Sequence, residues 1–224
     1  MTEQQKAFWD LLDIFDKEGL LPYIMLIGSW AEYIYQLHME SGYTANLKTR
    51  DVDFLYPNLN QPKGREIRIR KSMEEKGFLY TEDYISGVGK YIKEDLLELE
   101  FMTRALGQGQ SVNIIPSLNI KAEGLRDVNV LASYPLRICS SALKDGYDNL
   151  MITVPEPEAY VIQKLLINTK RTPEHKREKD IQSVRELLNY IDIDRIAYIF
   201  KSLTKKQQSI IEKTREKHFI EFGG

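Results

Sequence analysis

Up to about residue 154, apolar and polar positions alternate in short segments. After that residue, the pattern has only the period of a helix. Strand-like runs and longer amphipathic segments take turns in the first part, and Gly or Pro separates many of them. The predicted strands cover residues 22–27, 52–56, 79–86, 89–93, 96–102, 112–115 and 128–131. The predicted helices cover residues 3–18, 31–39, 65–76, 181–190, 196–200 and 204–219, with one more beginning near Tyr160. We therefore expect an α/β (α+β) domain with a mixed sheet over residues 1–154, followed by an all-helical part over residues 155–224.

The first candidate for chemistry is a turn between a predicted strand and a predicted helix. The apolar run that ends at Ile27 passes through Gly28-Ser29 directly into helical sequence. Glycine lets a ligand approach the backbone closely, and the N-terminus of a helix favours phosphate because its N–H groups lack partners within the helix. This turn is therefore a candidate phosphate-binding site.

The second candidate is a pair of acids on the next strand. Asp51 and Asp53 alternate with apolar residues, so a strand would place both carboxylates on one face. Adjacent carboxylates repel each other unless a divalent cation lies between them, and oxygen ligands are those that Mg²⁺ prefers. A later strand offers a third acid, for which Glu98 and Glu100 are both candidates.

The order of these features resembles a known superfamily. Gly28-Ser29, a helix and then Asp51-Val52-Asp53-Phe54 are similar to the signature of the DNA polymerase β-type nucleotidyltransferases, above all the small prokaryotic members that include abortive-infection toxins. The helical tail, with Lys164-Leu165 and the later Lys179-Asp180, is similar to a segment of those proteins. The resemblance implies a polymerase β-like fold and a possible antitoxin-like protein partner.

The resemblance also implies a reaction and the residues that serve it. A nucleoside monophosphate would pass from a nucleoside triphosphate to an acceptor hydroxyl, with release of pyrophosphate. Asp51, Asp53 and Glu100 would be catalytic and hold two Mg²⁺ ions, or Mn²⁺ in their place, with Glu98 as the reserve for Glu100. The nucleotide-binding residues would be Gly28, Ser29, Arg50 and Lys164.

Two of these assignments have ordinary structural alternatives. Arg50 could bind phosphate, or it could pair with Asp51 or Glu100. Lys164 could face the triphosphate from the tail, or it could be a surface lysine. Trp30, just after the turn, is expected to pack in the core rather than to stack on a base.

Composition and charge narrow the class of protein but not the acceptor. The 224 residues are 42% hydrophobic, which is enough for a core and excludes intrinsic disorder. We expect a cytoplasmic protein without a membrane segment, because no signal peptide is recognisable and the apolar run over residues 20–28 is far shorter than the ~20 residues of a bilayer span. The acceptor could be RNA, a protein or a small molecule. The alternative function is a catalytically silent nucleotide-binding or partner-binding module of the same fold, and the basic tail leaves nucleic-acid binding open.

Overall fold

A mixed sheet carries the acid-bearing strands at its centre. The computed structural model describes residues 1–39, 42–47, 49–107, 111–143 and 149–222. Within these ranges the central sheet runs in the order β1-β2-β5-β4-β3, while β7 pairs with the carboxyl half of β5 and β6 pairs with β7. Two further strands, β8 and β9, form a separate antiparallel ladder. The strands are β1 (Met25–Ile27), β2 (Asp51–Tyr56), β3 (Leu79–Glu82), β4 (Gly89–Lys93), β5 (Leu97–Arg104), β6 (Ser111–Ile115), β7 (Ile120–Leu125), β8 (Pro135–Cys139) and β9 (Met151–Pro155).

Along the chain, helices lie before, between and after the strands of the sheet. Capping boxes at Thr2 and Thr204 start the first and the last helix, because each threonine hydroxyl accepts from the backbone N–H three residues on. Helices α5 to α8 make up the C-terminal part. The helices are α1 (Glu3–Lys17), α2 (Ser29–His38), α3 (Arg70–Glu75), α4 (Asn129–Ser133), α5 (Pro157–Asn168), α6 (Glu174–Leu187), α7 (Ile193–Ser202) and α8 (Lys205–His218).

The two faces of the β2–β5 pair differ in chemistry. The strands run parallel with Asp51 opposite Glu98 and Asp53 opposite Glu100, so all four acids share one face. The alternate residues point to the other face and are buried beneath α1. There the ring centroid of Phe15 lies 5.3 Å from that of Phe54 and 5.9 Å from that of Phe101. An apolar layer thus fixes the strands that carry the acids.

The predicted mixed α/β fold is confirmed, and the errors are local. Residues 128–131 are not a strand: Val128 caps α4, whose buried Val130 and Leu131 make an apolar run too short for its period to separate helix from strand. The predicted helix over residues 65–76 begins only at Arg70, because the N–H of Ile67 bonds the carbonyl of Ser117. Strands β7, β8 and β9 were not predicted, and a 3₁₀ turn at Leu21–Tyr23 shortens β1.

The predicted boundary after residue 154 falls inside β9 and stays a prediction. Buried residues from both sides, such as Val154 and Leu165, belong to one hydrophobic core. The hydroxyl of Tyr35 in α2 also donates to the carbonyl of Pro155 at 2.7 Å. None of the helices in the described ranges combines the length and the apolar character that a membrane span requires.

Replacement of the aromatic support should destabilise the fold. Phe15→Ala removes a fully buried ring and leaves a cavity beneath β2 and β5, so we expect the free energy of unfolding to fall by about 3–5 kcal/mol. The matched control is Tyr84→Ala, which truncates a fully exposed ring and should change stability by less than about 0.5 kcal/mol. Urea titrations of both variants measure the difference, and equal stability of the two would contradict this account of the core.

Candidate active site

The carboxylates on β2 and β5 crowd one another. Asp53 is half-buried, and burial raises its pKa to about 7, with the charges of Glu100 and Asp51 adding to the effect. Burial also raises the pKa of Glu100, against the opposing charge of Lys90. Burial, with the neighbouring negative charges adding to it, therefore disfavours the ionised forms of Asp53 and Glu100.

Glu98 and Glu100 differ in their partners. The carboxylate of Glu98 lies 3.2 Å from Nζ of Lys90 and 3.8 Å from the guanidinium of Arg50. In the described part of the chain no ion pair engages Glu100, whose side chain lies directly opposite Asp53. The cations around Glu98 therefore leave Glu100 as the acid beside Asp53.

Polar contacts fix the segments that precede β2 and β5. Nε2 of Gln4 donates to the carbonyl oxygens of Thr49 at 2.8 Å and Leu96 at 3.2 Å, so one amide bridges the residues that precede β2 and β5. The hydroxyl of Thr49 donates to the carboxylate of Asp51 at 3.0 Å. The sequence gives no signal for the contribution of Gln4, since 45 residues separate it from Thr49.

Arg50 lies among acids at this entry. Its guanidinium is 3.3 Å from Asp95 and extends towards Glu98, rather than pairing with Asp51 or Glu100. A shallow groove of about 540 Å³ lies here, lined by Gln4, Leu47, Thr49, Arg50, Asp51, Asp95 and Glu98. Arg50 remains exposed, and its role in nucleotide binding stays a prediction.

Gly28 is required where the candidate phosphate turn meets the carboxylates. Its φ of +68° lies in the left-handed region, and a Cβ there would lie 2.7 Å from Oδ2 of Asp53. A side chain would therefore meet both backbone strain and a collision with the carboxylate. The turn leads into α2 at Ser29, so the N–H groups of the first helical turn begin beside Asp53.

The helical tail reaches this turn through a lysine. Nζ of Lys179 in α6 donates to the hydroxyl of Ser29 at 3.1 Å. Lys179 is half-buried, and burial together with the charge of Lys164 lowers its pKa. Lys179 was one of several tail residues noted in the sequence, and the contact identifies it as the cation nearest the turn among the described contacts.

Lys164 is not a surface lysine. Its ammonium is buried, lies 2.5 Å from Asp180 of α6 and is 5.0 Å from the centroid of the Tyr160 ring. The charges of Arg171 and Lys164 lower the pKa of Asp53, against the larger effect of its burial. Sequence reasoning missed Arg171, which follows α5 outside any recognisable motif.

Trp30 packs in the core, as expected. Its ring is fully buried and stacks on that of Phe8, with centroids 4.3 Å apart. It is therefore closed to a nucleotide base.

The donor set fits a divalent cation in its chemistry. Within the described ranges, no three His, Cys, Asp or Glu side chains converge into a ready-made metal cage. The carboxylate of Asp51 accepts a hydrogen bond from Thr49, and the carboxylate of Asp53 lies against Gly28. The two carboxylates thus have different neighbours, as expected for groups that repel each other. The excess negative charge is nevertheless what a hard cation neutralises, and Asp51, Asp53 and Glu100 offer the oxygen atoms for it.

Comparison with known proteins assigns the chain to a family. A family model described as nucleotidyltransferase matches residues 7–208. The chain belongs to the nucleotidyltransferase family. The resemblance to the polymerase β-type superfamily and the prediction of a nucleotidyltransferase enzyme are thereby confirmed, while none of the curated proteins matches this chain.

Solved structures are similar to this chain at low sequence identity. An antigenic nucleotidyltransferase-like protein from Paracoccidioides brasiliensis is 12% identical, with a TM-score of 0.50 over 96% of this chain and 89% of that one. ANT(2″)-Ia in complex with adenylyl-2″-tobramycin is 14% identical, with a TM-score of 0.48 over 97% and 99%. The lincomycin-bound lincosamide antibiotic adenylyltransferase LnuA is 14% identical, with a TM-score of 0.46 over 85% and 99%.

A methyl group at the turn of this nucleotidyltransferase should displace Asp53. Gly28→Ala combines a positive φ with the collision at the carboxylate, so we expect at least about 2 kcal/mol of destabilisation and loss of nucleotide binding. Gly64→Ala is the matched control, because Gly64 has a φ of +65° with nothing within 4 Å of the added Cβ. Gly64→Ala should lose only the stability that the backbone strain costs, and it should keep nucleotide binding. Chemical denaturation and calorimetric titration with ATP measure both effects, and equal losses in the two variants would argue against the contact with Asp53.

The raised pKa of Asp53 predicts that a neutral side chain at this position increases the stability of the fold, and does so more at high pH. As the pH rises from 3.8 to about 7, the unfolded carboxyl ionises while the folded one stays protonated, so the wild type loses stability through this window. Asp53→Asn has no such loss and should be the more stable by about 1–3 kcal/mol at pH 8, with a smaller difference at pH 4. Denaturant titrations in EDTA at both pH values test this, and a difference that does not grow with pH would refute it.

Proposed function

We propose that this protein transfers a nucleoside monophosphate from a nucleoside triphosphate to an acceptor hydroxyl and releases pyrophosphate. The observation that carries the proposal is the convergence of Asp53, Glu100 and Gly28 on one face of the sheet, with Lys179 on Ser29 beside them. Family membership supports the reaction class. The intact set of three acids argues against the silent-module alternative.

The geometry divides the site into a phosphate side and an acceptor side. Gly28 and Ser29 lie at the end of β1, which pairs with one edge of β2, whereas Glu100 lies on β5 at the other edge. We infer that the β- and γ-phosphates bind at the turn, where the helix N-terminus and Lys179 favour anions. The acceptor hydroxyl then approaches from the side of Glu100.

Each residue has a defined part in the reaction. Asp51, Asp53 and Glu100 would hold two Mg²⁺ ions, or Mn²⁺, which when bound supply charge neutralisation at the triphosphate. The oxygen of the acceptor hydroxyl bonds to the α-phosphorus, and Glu100 takes the proton that this hydroxyl loses. The bond from the α-phosphorus to the bridging oxygen breaks, and pyrophosphate leaves past Ser29, Lys179 and Lys164.

The acceptor is a hydroxyl of RNA, of a protein or of a small molecule. We place the reaction in the cytoplasm, because the proposed donor is a cellular nucleoside triphosphate. The direct test incubates the protein with each of the four α-labelled triphosphates, Mg²⁺ and a fractionated cell extract. Label should enter one fraction with wild type and fall at least about 100-fold with Asp53→Asn. A wild type that binds triphosphate without transferring label to any fraction would support the silent module instead.

The two glutamates of β5 should differ in the transfer assay. Glu100→Gln removes the proposed base and metal ligand, so we expect transfer to fall about 100-fold or more. Glu98→Gln is the matched control on the same strand and face, because Lys90 and Arg50 already engage Glu98. It should retain transfer to within about fivefold. The reverse ranking would assign the third acid to Glu98.

A further inference from the structure

A second pocket lies where β2 and β5 end, on the face of the sheet that carries the acids. It has a volume of about 240 Å³. Its lining includes Leu55 of β2, the following Pro57, Arg104 at the end of β5, and Asn129 and Ser133 of α4. We call this space the carboxyl-end pocket.

The carboxyl-end pocket begins next to the carboxylates of the candidate active site. On β2, Leu55 is the next residue after Asp53 on the same face. On β5, Arg104 shares the face of Glu100 and comes four residues later. Two residues of a strand span about 7 Å, so the pocket begins about 7 Å beyond Asp53, and Arg104 lies about 13 Å beyond Glu100. A ligand with a phosphate at the acids can therefore extend into the pocket.

The lining of the carboxyl-end pocket favours a flat apolar ring. Four of its seven lining residues are apolar, and two of these, Leu55 and Val128, are almost fully buried. The groove around Arg50 has one apolar residue among seven, Leu47, and three acids. The pocket is smaller than the about 300 Å³ at which sites for whole drug-sized ligands begin, so it holds one part of a nucleotide. The base is the part with an apolar ring face, and it fits here rather than in the groove.

The polar rim of the pocket contains one charged side chain, that of Arg104. Arg104 is exposed, and no hydrogen bond or ion pair within the described ranges engages its guanidinium. Its N–H donors are therefore available to a ligand. Two of these donors match O6 and N7 of guanine, whereas adenine has an amino donor in place of O6 and pyrimidines have no N7. An arginine at the rim of an apolar pocket thus distinguishes guanine from the other bases.

We propose that the carboxyl-end pocket binds the base of the nucleoside triphosphate and that Arg104 donates to O6 and N7 of guanine, so that GTP is the preferred donor. The proposal rests on the proposed function, because it takes Asp53 and Glu100 as the site of the α-phosphate. An arginine that acted only through its charge would attract every triphosphate equally. The ratio of the affinities for GTP and ATP is therefore the readout.

Calorimetric titrations with GTP and with ATP in Mg²⁺ measure this ratio. The wild type should bind GTP about 10–100-fold more tightly than ATP. Arg104→Gln should bind ATP at least as tightly as GTP, because a glutamine amide pairs with N6 and N7 of adenine. Arg137→Gln is the matched control, since Arg137 is also an exposed arginine on a strand but does not line the pocket. This control should keep the wild-type ratio.

A variant that narrows the pocket tests its occupant separately from Arg104. Ser133 is exposed and lines the pocket, so Ser133→Phe should leave the fold intact and exclude part of the base. We expect it to weaken the binding of GTP about tenfold or more and to leave the affinity for inorganic tripolyphosphate, which has no base, unchanged.

Three results would overturn the inference: equal affinities of the wild type for GTP and ATP, a preference for GTP that survives Arg104→Gln, or unchanged GTP binding in Ser133→Phe. A wild type that binds neither triphosphate in Mg²⁺ would instead overturn the proposed function.

Discussion

The crowding of carboxylates on one face of the sheet is the constraint on which the rest of the site depends. Parallel pairing of β2 with β5 sets Asp53 opposite Glu100, with Asp51 two residues away on the same face. Within the sheet Lys90 of β4 pairs with Glu98, but no such ion pair in the described part of the chain engages Asp53. Further compensation at Asp53 comes from the charges of Arg171 and Lys164 and from a proton, since its pKa is raised to about 7.

The opposite face of the same strands explains how the crowding is tolerated. The apolar layer under β2 and β5 holds the two backbones in register whatever the charge above them. Gln4 of α1 donates to the carbonyl oxygens that precede β2 and β5. The same helix therefore packs under these strands and fixes the point where their pairing begins. Core packing thereby supplies the free energy that keeps like charges together.

The sequence predicted what depends on local spacing and missed what depends on distant partners. Alternation alone places Asp51 and Asp53 on one face, and the Gly28-Ser29 turn follows from the switch between a strand and a helix. Spacing alone did not separate Glu98 from Glu100, which only the family resemblance favoured, because their difference in ion pairs comes from Lys90 on a neighbouring strand and Arg50 before β2. The contact of Lys179 with Ser29 joins residues 150 positions apart, which no local pattern encodes.

The position of the tail follows from the same charge balance. Lys179 contacts Ser29 at the turn, Lys164 and Arg171 both engage Asp180, and Glu32 is a second buried acid, which accepts from Tyr160. These two acids are already engaged by tail side chains, and the charges of Arg171 and Lys164 also lower the pKa of Asp53. In the proposed function the face with Asp51, Asp53 and Glu100 would hold the metal ions. The triphosphate of the proposed reaction would lie between that face and the tail, where its oxygen atoms could bind the metal ions on one side and Lys179 on the other. In the proposed function the helical tail is therefore one wall of the nucleotide site rather than an appendage to the sheet.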